Sequence, residues 1–286
     1  MNVLVAGGSG FVGRNLASVL TAAGHRVVSA SRRTGVDFRA LTRPADWCPH
    51  LDDIDAVINC VGIIGETGQQ RFLTLHRDGP TVLFSACARV GIRRVIQISA
   101  LGADDTAFSA YHISKRAADE ALRALDVDGI VLRPSLIYGR GGASSALFLR
   151  LAMLPRLPLI GDGRQRLQPI HIADVAATVL RCLEAPATQR TLDIVGPETV
   201  SFADWLGRMR AAQGLAPARH LKIPPHLAAA AFTLARHFHP LFQPENLRML
   251  LTGYHADAAP ITAFLGRPPL AWSPKLFFAD ALEALS

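Results

Sequence analysis

The sequence predicts an α/β fold in which a parallel sheet is covered by helices on both faces, with a smaller C-terminal α/β lobe. Short, continuously apolar segments alternate with helical segments from the first residues onward, as in parallel strands that are buried on both sides. A glycine-rich turn, "GGSGFVG" at residues 7–13, joins the first such strand to the first helix. Together these observations predict a Rossmann doubly wound parallel sheet.

The first half of the chain alternates between strands and helices. Residues 3–6 predict the first strand, and the helix after the glycine turn ends at Gly24. Further strands are predicted at residues 27–30, 36–38, 56–59, 95–98 and 129–132. One helix is predicted at residues 69–90 and ends at Gly91. Another is predicted at residues 111–125.

The alternation breaks after Gly139. It returns in "PIHIADVAATVLRCL" (169–183), with Asp174 near a helix start, and in the strand-like "TLDIVG" (191–196). We therefore predict a dinucleotide-binding Rossmann core over residues 1–139, with residues 165–196 returning to its sheet. Residues 140–164 and 197–286 are predicted to form a small substrate or partner lobe over the ends of the strands.

Composition excludes several classes of protein. Half of the residues are hydrophobic and 19% are charged, which is typical of a globular chain. No apolar run approaches the roughly 20 residues of a membrane span, and the start reads as a strand and not as a signal peptide. The four cysteines fit neither a metal site nor a disulfide framework, which favours a reducing compartment, and a cytoplasmic location is predicted.

The net charge of +7 has two interpretations. It fits an acidic partner, or it fits arginines scattered over a solvated surface. The bases stand singly or in pairs, and no motif combines them with aromatic residues, so a nucleic-acid partner is not predicted.

The glycine turn predicts a nucleotide site. Gly7, Gly10 and Gly13 are spaced three apart, which allows a tight turn and brings backbone amides close to a pyrophosphate at a helix N-terminus. The alternative is an ordinary turn. Its position directly after the first strand favours the nucleotide.

The end of the second strand predicts which nucleotide binds. NAD sites usually have an acid there, but this chain has Arg32 and Arg33. A guanidinium suits a 2′-phosphate, so NADP is predicted, with NAD as the alternative nucleotide. The arginines would have no role in binding if they are simply a solvated pair after a strand. Asp37 and Phe38 follow at the sheet edge, where an adenine would lie.

Two further stretches predict the rest of the site. "NCVG" (59–62) ends a strand with small residues that would let a cofactor pass, and its Cys60 reads as a packed residue and not as a nucleophile. Tyr111 and Lys115 are four residues apart, which places them on one face of a helix. The lysine, together with an oxidised nicotinamide, would lower the phenol pKa from its usual value near 10.

The order of "GGSGFVG", "NCVG", "YHISK" and "RPSLIYG" resembles the extended and atypical short-chain dehydrogenase/reductases. "QISALGAD", "PIHIADVA" and the tail from "PENLRMLLTGYHADAA" resemble the atypical branch that contains the dehydrogenase-like accessory subunit of respiratory complex I and its bacterial relatives. The resemblance covers essentially the whole chain and implies a bound nicotinamide nucleotide.

The resemblance also implies residue roles. Those assigned to the cofactor are Gly7, Ser9, Gly10, Phe11 and Val12 for the pyrophosphate, Arg32 for the 2′-phosphate, Asp37 and Phe38 for the adenine, Cys60, Val61 and Gly62 for the middle, and Pro134 beside the nicotinamide. Tyr111 and Lys115 would be the active pair, and Lys115 would also hold the ribose.

The chain departs from the family where a catalytic serine or threonine is expected, because that position holds Ala100. Three explanations stay open: a distortion aims the neighbouring Ser99 at the site, Ser109 compensates, or this donor is missing. Ser99 is nevertheless retained as a candidate catalytic residue.

Two functions are therefore predicted. The first is an NADP-dependent oxidoreductase or isomerase acting on a small-molecule hydroxyl or carbonyl substrate. The second is a non-catalytic, nucleotide-bearing accessory or assembly protein of a respiratory membrane complex, peripheral to the inner membrane. An apolar helix predicted over residues 223–242, with Arg236, His237 and His239 near its end, could lie on an anionic membrane or pack within the lobe.

Overall fold

The structure, a computed structural model, describes residues 1–236 and 240–285. Its strands are β1 (Asn2–Ala6), β2 (Arg26–Ala30), β3 (Ala56–Asn59), β4 (Arg94–Ile98), β5 (Asp128–Pro134), β6 (Ile137–Tyr138), β7 (Arg156–Ile160), β8 (Arg166–Leu167), β9 (Ile170–His171), β10 (Arg190–Ile194), β11 (Val200–Ser201) and β12 (Arg219–Ile223). Its α-helices are α1 (Phe11–Ala22), α2 (Pro44–Trp47), α3 (Gly79–Val90), α4 (Ala110–Arg123), α5 (Ala143–Met153), α6 (Ile172–Glu184), α7 (Phe202–Ala212), α8 (Pro225–Ala235), α9 (Pro244–Thr252), α10 (Ala259–Leu265) and α11 (Ala281–Leu285).

The described residues form two compact units. The first contains residues Met1–Pro134 and Val175–Ile194. The second contains Ser135–Asp174 and the described residues from Val195 onward.

The first unit is built on a six-stranded sheet with the order β10-β5-β4-β3-β1-β2, and every neighbouring pair is parallel. The chain passes from β1 to β2 on one side and then crosses back to β3 on the other. This reversal makes the carboxyl end of β1 the topological switch point, where sheets of this kind bind ligands. The predicted α/β Rossmann fold is confirmed.

The core of the first unit explains why these segments form strands. Leu4, Val57, Val95 and Val131 come from four adjacent strands and are fully buried in one apolar cluster. Burial of each such side chain contributes about 1.5–3 kcal/mol. The helices supply the matching apolar faces: Leu16 and Leu20 of α1, for example, have no exposed surface.

The prediction of a strand at residues 36–38 is wrong. After β2 the chain forms a 3₁₀ helix, Arg32–Thr34, and Gly35 then takes a left-handed conformation with φ 82°. The Val36 amide donates to the Ser31 carbonyl at 2.9 Å. Turn hydrogen bonds thus replace the ladder that a strand would need.

The helix predicted at residues 69–90 is two helices in succession. A π-helix, Leu73–Asp78, leads directly into α3. The predicted end is confirmed, because Gly91 follows α3 with φ 84° and allows the chain to turn.

The second unit contains three two-stranded pairs, β6–β9, β7–β12 and β8–β11. Its core includes Tyr138, Trp205 and Phe277, whose ring centroids lie 5.0–5.4 Å apart.

The helix predicted over residues 223–242 is shorter than expected: Ile223 ends β12 and α8 covers Pro225–Ala235. His237 and His239 lie outside the described residues. Over residues 1–236 and 240–285, no helix combines the length and apolarity that crossing a bilayer requires.

Candidate active site

Gly7 forms the bottom of the glycine turn and cannot be replaced without strain. It has φ 78°, and a Cβ atom there would lie 2.9 Å from the Cys60 carbonyl carbon and from the Val61 amide nitrogen. A Cβ on Gly13 would lie 2.4 Å from the Gly7 carbonyl oxygen. The turn therefore packs directly against α1 and against the loop that follows β3.

The first turn of α1 presents backbone amides. Gly10 is the N-cap residue and supplies no side-chain hydrogen bond, and the first turn contains no acidic residue. Phe11 and Val12 occupy its first two positions, while Ser9 accepts a 2.8 Å hydrogen bond from Arg14 through its carbonyl. An uncapped helix N-terminus beside a glycine turn suits an anion such as a pyrophosphate.

A cleft runs from this turn along the carboxyl ends of β1, β2 and β3. Its lining includes most of the cofactor residues predicted from the sequence. These are Gly7, Ser9, Gly10, Arg32, Asp37, Phe38, Cys60, Val61 and Gly62. Gln70 and Arg39, which sequence reasoning missed, also line the cleft.

Arg32 and Arg39 lie on the wall of the cleft near β2. With its amide oriented by its hydrogen-bond partners, Gln70 places its oxygen 2.9 and 3.1 Å from the two terminal nitrogens of Arg32. The Arg39 guanidinium donates to both oxygens of Asp37, and this hydrogen bonding holds the pKa of the Asp37 carboxyl below its usual value. Asp37 is thereby paired within the wall, and two guanidinium groups face this part of the cleft.

Five predicted cofactor residues are not among those that line the cleft: Phe11, Val12, Arg33, Lys115 and Pro134. Arg33 is exposed in the 3₁₀ helix and is not part of the cleft lining. Pro134 ends β5, and its carbonyl accepts a 2.9 Å hydrogen bond from the Leu101 amide. Phe38 is 6% exposed and packs edge-on against Trp47 with centroids 5.0 Å apart, so it is anchored in the core as well as lining the cleft.

Lys115 is buried beside the cleft wall. Its ammonium donates to the Val61 carbonyl at 3.2 Å, after β3, and to the Ile98 carbonyl at 3.0 Å, at the end of β4. A Cβ on Gly62 would lie 3.2 Å from Nζ, so a larger residue there would require the ammonium to shift by a few tenths of an ångström. Burial lowers the Lys115 pKa to about 8.

Tyr111 precedes Lys115 by one helical turn, as predicted from the spacing. Its ring is half-buried and contacts Phe72, His76 and His112, with centroid distances of 5.8, 5.3 and 5.1 Å. Burial raises the phenol pKa to about 12. The predicted lowering of this pKa requires the ammonium together with an oxidised nicotinamide and stays a prediction; in the protein alone, desolvation shifts the pKa upward.

His76 is a site residue that sequence reasoning missed. Its Nε2 accepts a 2.9 Å hydrogen bond from the Ile63 amide, which leaves the proton on Nδ1, 3.1 Å from the Ser114 hydroxyl oxygen. Ser114 in turn donates to the Tyr111 carbonyl at 2.8 Å. Burial lowers the His76 pKa well below its usual value, so this histidine is a neutral link between the cleft loop and α4. A histidine within a predicted helix was the available signal.

The hydroxyl groups near Ala100 have other partners. Ser99 donates a 2.7 Å hydrogen bond to Asp119 on α4, and both residues are buried. Ser109 caps α4 by accepting a 3.1 Å hydrogen bond from the His112 amide. Ala100 is itself buried, with 6% exposure. Of the three explanations considered above, the missing donor agrees best with this arrangement.

Among the described residues, no group of three or more His, Cys, Asp or Glu side chains is arranged to hold a metal ion. Cys60 lines the cleft, and burial raises its thiol pKa to about 12, which disfavours the nucleophilic thiolate.

Comparison with known proteins gives one family and several relatives. The model of the NAD dependent epimerase/dehydratase family matches residues 3–195. A ceramide reductase of Caulobacter vibrioides is 29% identical over 196 residues, which is 64% of this chain and 61% of that protein. Subunit 9 of the mitochondrial NADH dehydrogenase (ubiquinone) 1 alpha subcomplex of Arabidopsis thaliana is 28% identical over 306 aligned positions, 99% of this chain and 69% of that protein.

The match to the reductase thus spans less than two thirds of its length. Among solved structures, the UDP-glucuronic acid 4-epimerase of Bacillus cereus in complex with NAD has a TM-score of 0.74 at 20% identity and covers 100% of this chain and 99% of that one. At this identity the likeness concerns the fold.

Proposed function

Because the chain belongs to the NAD dependent epimerase/dehydratase family, we propose that it is a nicotinamide-nucleotide-dependent oxidoreductase or epimerase that acts on a hydroxyl or carbonyl group. The observation that carries this proposal is the Tyr111–Lys115 pair: the tyrosine stands one turn before a buried ammonium that is bonded to the carbonyl of Val61 in the cleft wall. A phenol beside a held ammonium is suited to moving a proton at a substrate oxygen.

The chain's own residues fit a nicotinamide nucleotide. Gly7 lets the turn pack directly against the loop after β3, and the first turn of α1 offers amides without a side-chain cap, so this region would hold the pyrophosphate. Asp37 and Phe38 would border the adenine, Cys60, Val61 and Gly62 the middle of the nucleotide, and Pro134 the nicotinamide. We further propose NADP as the preferred form, because Arg32 and Arg39 both face the part of the cleft where a 2′-phosphate would lie.

The bound nicotinamide would supply hydride transfer. In the reducing direction Tyr111 would donate its proton to the carbonyl oxygen as that oxygen gains charge, and in the oxidising direction it would accept the proton. Lys115 would hold the nucleotide ribose and favour the phenolate. Ala100 removes a second hydroxyl that could hold the same oxygen, so turnover is expected to be slow.

The test is single-turnover oxidation of NADPH, followed by absorbance, with a carbonyl panel that includes long-chain keto lipids and nucleotide keto-sugars. The ceramide reductase among the relatives and the nucleotide-sugar epimerases among the structures motivate the panel. We expect Tyr111→Phe to abolish turnover while NADPH affinity and the melting temperature change little. Unchanged turnover in Tyr111→Phe would exclude the pair as the catalytic apparatus.

A second candidate function is a non-catalytic accessory role at a respiratory membrane complex. It is favoured by the relation to the NADH dehydrogenase subunit over 99% of this chain. It is also favoured by the surface of α8, on which Leu227 and Leu234 are 54% and 73% exposed and which follows the exposed bases Arg219 and Lys222. Such a surface suits an anionic membrane.

Co-sedimentation with anionic vesicles at low salt tests this second role. Binding by the parent protein, and its loss in a Leu227→Ser/Leu234→Ser double variant, would support membrane association. Leu73→Ser is the matched control, because Leu73 is 52% exposed in the first unit. Absence of binding by the parent protein would remove the membrane as the partner.

A further inference from the structure

Lys115 and Asp119 stand one turn apart on α4 and hold two consecutive residues at the end of β4. The Lys115 ammonium donates to the Ile98 carbonyl at 3.0 Å, and the Asp119 carboxylate accepts from the Ser99 hydroxyl at 2.7 Å. Asp119 has no exposed surface, and Lys115 and Ser99 are each 4% exposed. Helix α4 therefore holds the end of β4 by two adjacent hydrogen bonds of opposite polarity.

We propose that Asp119 is a positioning residue which, through Ser99, fixes the Ile98 carbonyl that holds Lys115 and, through its charge, keeps Lys115 in the ammonium form. This deepens the proposed function, since Lys115 is the residue that the function employs. It also gives Ser99 a role other than the catalytic one considered from the sequence: its hydroxyl serves the helix and not the substrate.

Asp119 is the main anion near the Lys115 ammonium, because the other titratable groups that face Lys115 are neutral. Cys60 faces Lys115 from the loop after β3, and its burial keeps the thiol neutral by raising its pKa to about 12. His76 faces Lys115 from the π-helix and is neutral, because burial lowers its pKa well below the usual value. Tyr111, one turn earlier on α4, is a neutral phenol with its pKa raised to about 12 by burial.

Around Asp119 itself the facing groups are cationic. Arg133 on β5 places Nε 3.5 Å from Oδ2, and Arg123 belongs to the same helix. Burial raises the Asp119 pKa to about 6, while the Ser99 hydrogen bond and these cations act in the opposite sense. At neutral pH the carboxylate is therefore ionised and stabilises the Lys115 ammonium, which burial otherwise disfavours.

The chain permits a direct measurement, because Lys115, Lys222 and Lys275 are its only lysines. Lysine-selective isotope labelling gives three side-chain signals, of which Lys222 and Lys275 belong to exposed residues. Their pH titration is followed by NMR in the full-length protein without nucleotide or substrate. The parent protein should show a Lys115 midpoint of about 8.

Asp119→Asn keeps an oxygen that can accept the Ser99 hydrogen bond but removes the charge. We expect the Lys115 midpoint to move to lower pH, while the signals of the exposed Lys222 and Lys275 serve as internal references. NADPH affinity should then be a few-fold weaker than in the parent at a pH between the two Lys115 midpoints, where the parent keeps more of the Lys115 charge, and nearly unchanged near pH 6.5, where both proteins are mostly charged. A purely structural role would lower the melting temperature without moving this pH profile.

Ser99→Ala tests the geometric half of the proposal and also serves if Asp119→Asn does not fold. Without the Ser99 hydrogen bond the end of β4 is no longer held to α4, and the Ile98 carbonyl can move away from the Lys115 ammonium that it stabilises. The Lys115 midpoint should therefore again move to lower pH. Ser99→Thr, which retains the hydroxyl, should restore the parent value. Glu120→Gln is the control, because Glu120 is the next residue on α4 but its side chain is 51% exposed and pairs with Arg116.

An unchanged Lys115 midpoint in folded Asp119→Asn and Ser99→Ala would overturn the proposal, as would an equal shift in Glu120→Gln. The titration needs neither nucleotide nor turnover, so its outcome is separate from the proposed function. Conversely, a parent protein that binds no NADPH would overturn the proposed function and leave the titration result standing.

Discussion

Gly7 and Cys60 approach so closely that a Cβ atom on the glycine would lie 2.9 Å from the Cys60 carbonyl carbon. The turn after β1 and the loop after β3 are thus in backbone contact, and they line the cleft together. Any side chain at Gly7 must move one of these two segments, which are neighbouring walls of the proposed nucleotide site.

Gly7→Ala is therefore expected to weaken NADPH binding by about tenfold or more and to destabilise the fold. A left-handed conformation alone costs a residue with a side chain about 1–2 kcal/mol. Gly24→Ala is the matched control, because Gly24 has φ 86° and nothing lies within 4 Å of a Cβ built there. Fluorescence titration measures NADPH affinity and thermal melts measure stability, so the two variants together separate the effect of backbone strain from that of the close approach to Cys60. Equal effects of Gly7→Ala and Gly24→Ala on NADPH affinity would contradict this account.

Arg32→Ala and Arg39→Ala should each narrow the preference for NADPH over NADH. A hydrogen bond to a charged group contributes about 1.5–3 kcal/mol, which corresponds to roughly tenfold or more in affinity. Arg33→Ala should leave the preference unchanged, because Arg33 is exposed and not part of the cleft lining. Equal affinities of the parent protein for the two nucleotides would refute the NADP assignment.

Ala100→Ser should accelerate turnover with any substrate that the parent protein accepts. A donor to a reacting oxygen is typically worth about 10²–10³ in rate. Because Ala100 is 6% exposed, the added hydroxyl has limited space and a gain at the lower end is expected. Single-turnover rates measure it. An Ala100→Ser/Tyr111→Phe double variant should show no gain, and acceleration there would mean that the serine acts independently of the tyrosine.

His171 should make the free energy of unfolding depend on pH. Burial lowers its folded-state pKa to about 4, while the unfolded chain titrates near 6.5. Between these values the unfolded state binds more protons, so the stability contributed by neutral His171 is present above about pH 6.5 and is lost as the pH falls toward 4.

The test of this dependence is a set of urea melts from about pH 7 to pH 4.5. His171→Gln should lose less stability over this interval than the parent protein does, because the proton-linked part is removed. His171 contacts the Leu276 carbonyl and accepts from the Ala173 amide, and Gln cannot reproduce both contacts. Their loss lowers the free energy of unfolding by a similar amount at every pH, so it does not change the pH dependence. Parallel pH profiles for the two proteins would exclude His171 as a contributor.

Local patterns predicted the fold well because each signal acts over a few residues. Apolar runs such as Val3–Ala6 and left-handed glycines such as Gly24 and Gly91 are determined by burial and backbone conformation, and the structure agrees with them. The strand predicted at residues 36–38 failed, because β-branched and aromatic residues there pack into the core from a turn that follows Gly35.

The candidate site was less accessible from the sequence, because several of its residues are defined by contacts between distant segments. The spacing of Tyr111 and Lys115 is a property of one helix and could be read directly. The pairing of Asp37 with Arg39, the approach of Gln70 to Arg32 and the bond from Ser99 to Asp119 depend on how loops and helices meet in space. The burial that raises the Tyr111 pKa in the protein alone likewise depends on rings brought together from different segments.

The π-helix at Leu73–Asp78 has a consequence for insertions and deletions in this part of the chain. A π turn contains one residue more than an α turn, and each residue of an α-helix advances the direction of its side chain by about 100°. Deleting one residue within this turn, before His76, would favour a regular α-helix and rotate the imidazole away from the Ile63 amide and the Tyr111 ring that it now contacts. The wall of the site around Tyr111 therefore depends on the length of this segment as much as on its composition, and homologous chains that differ by one residue here would have to build that wall from another side chain.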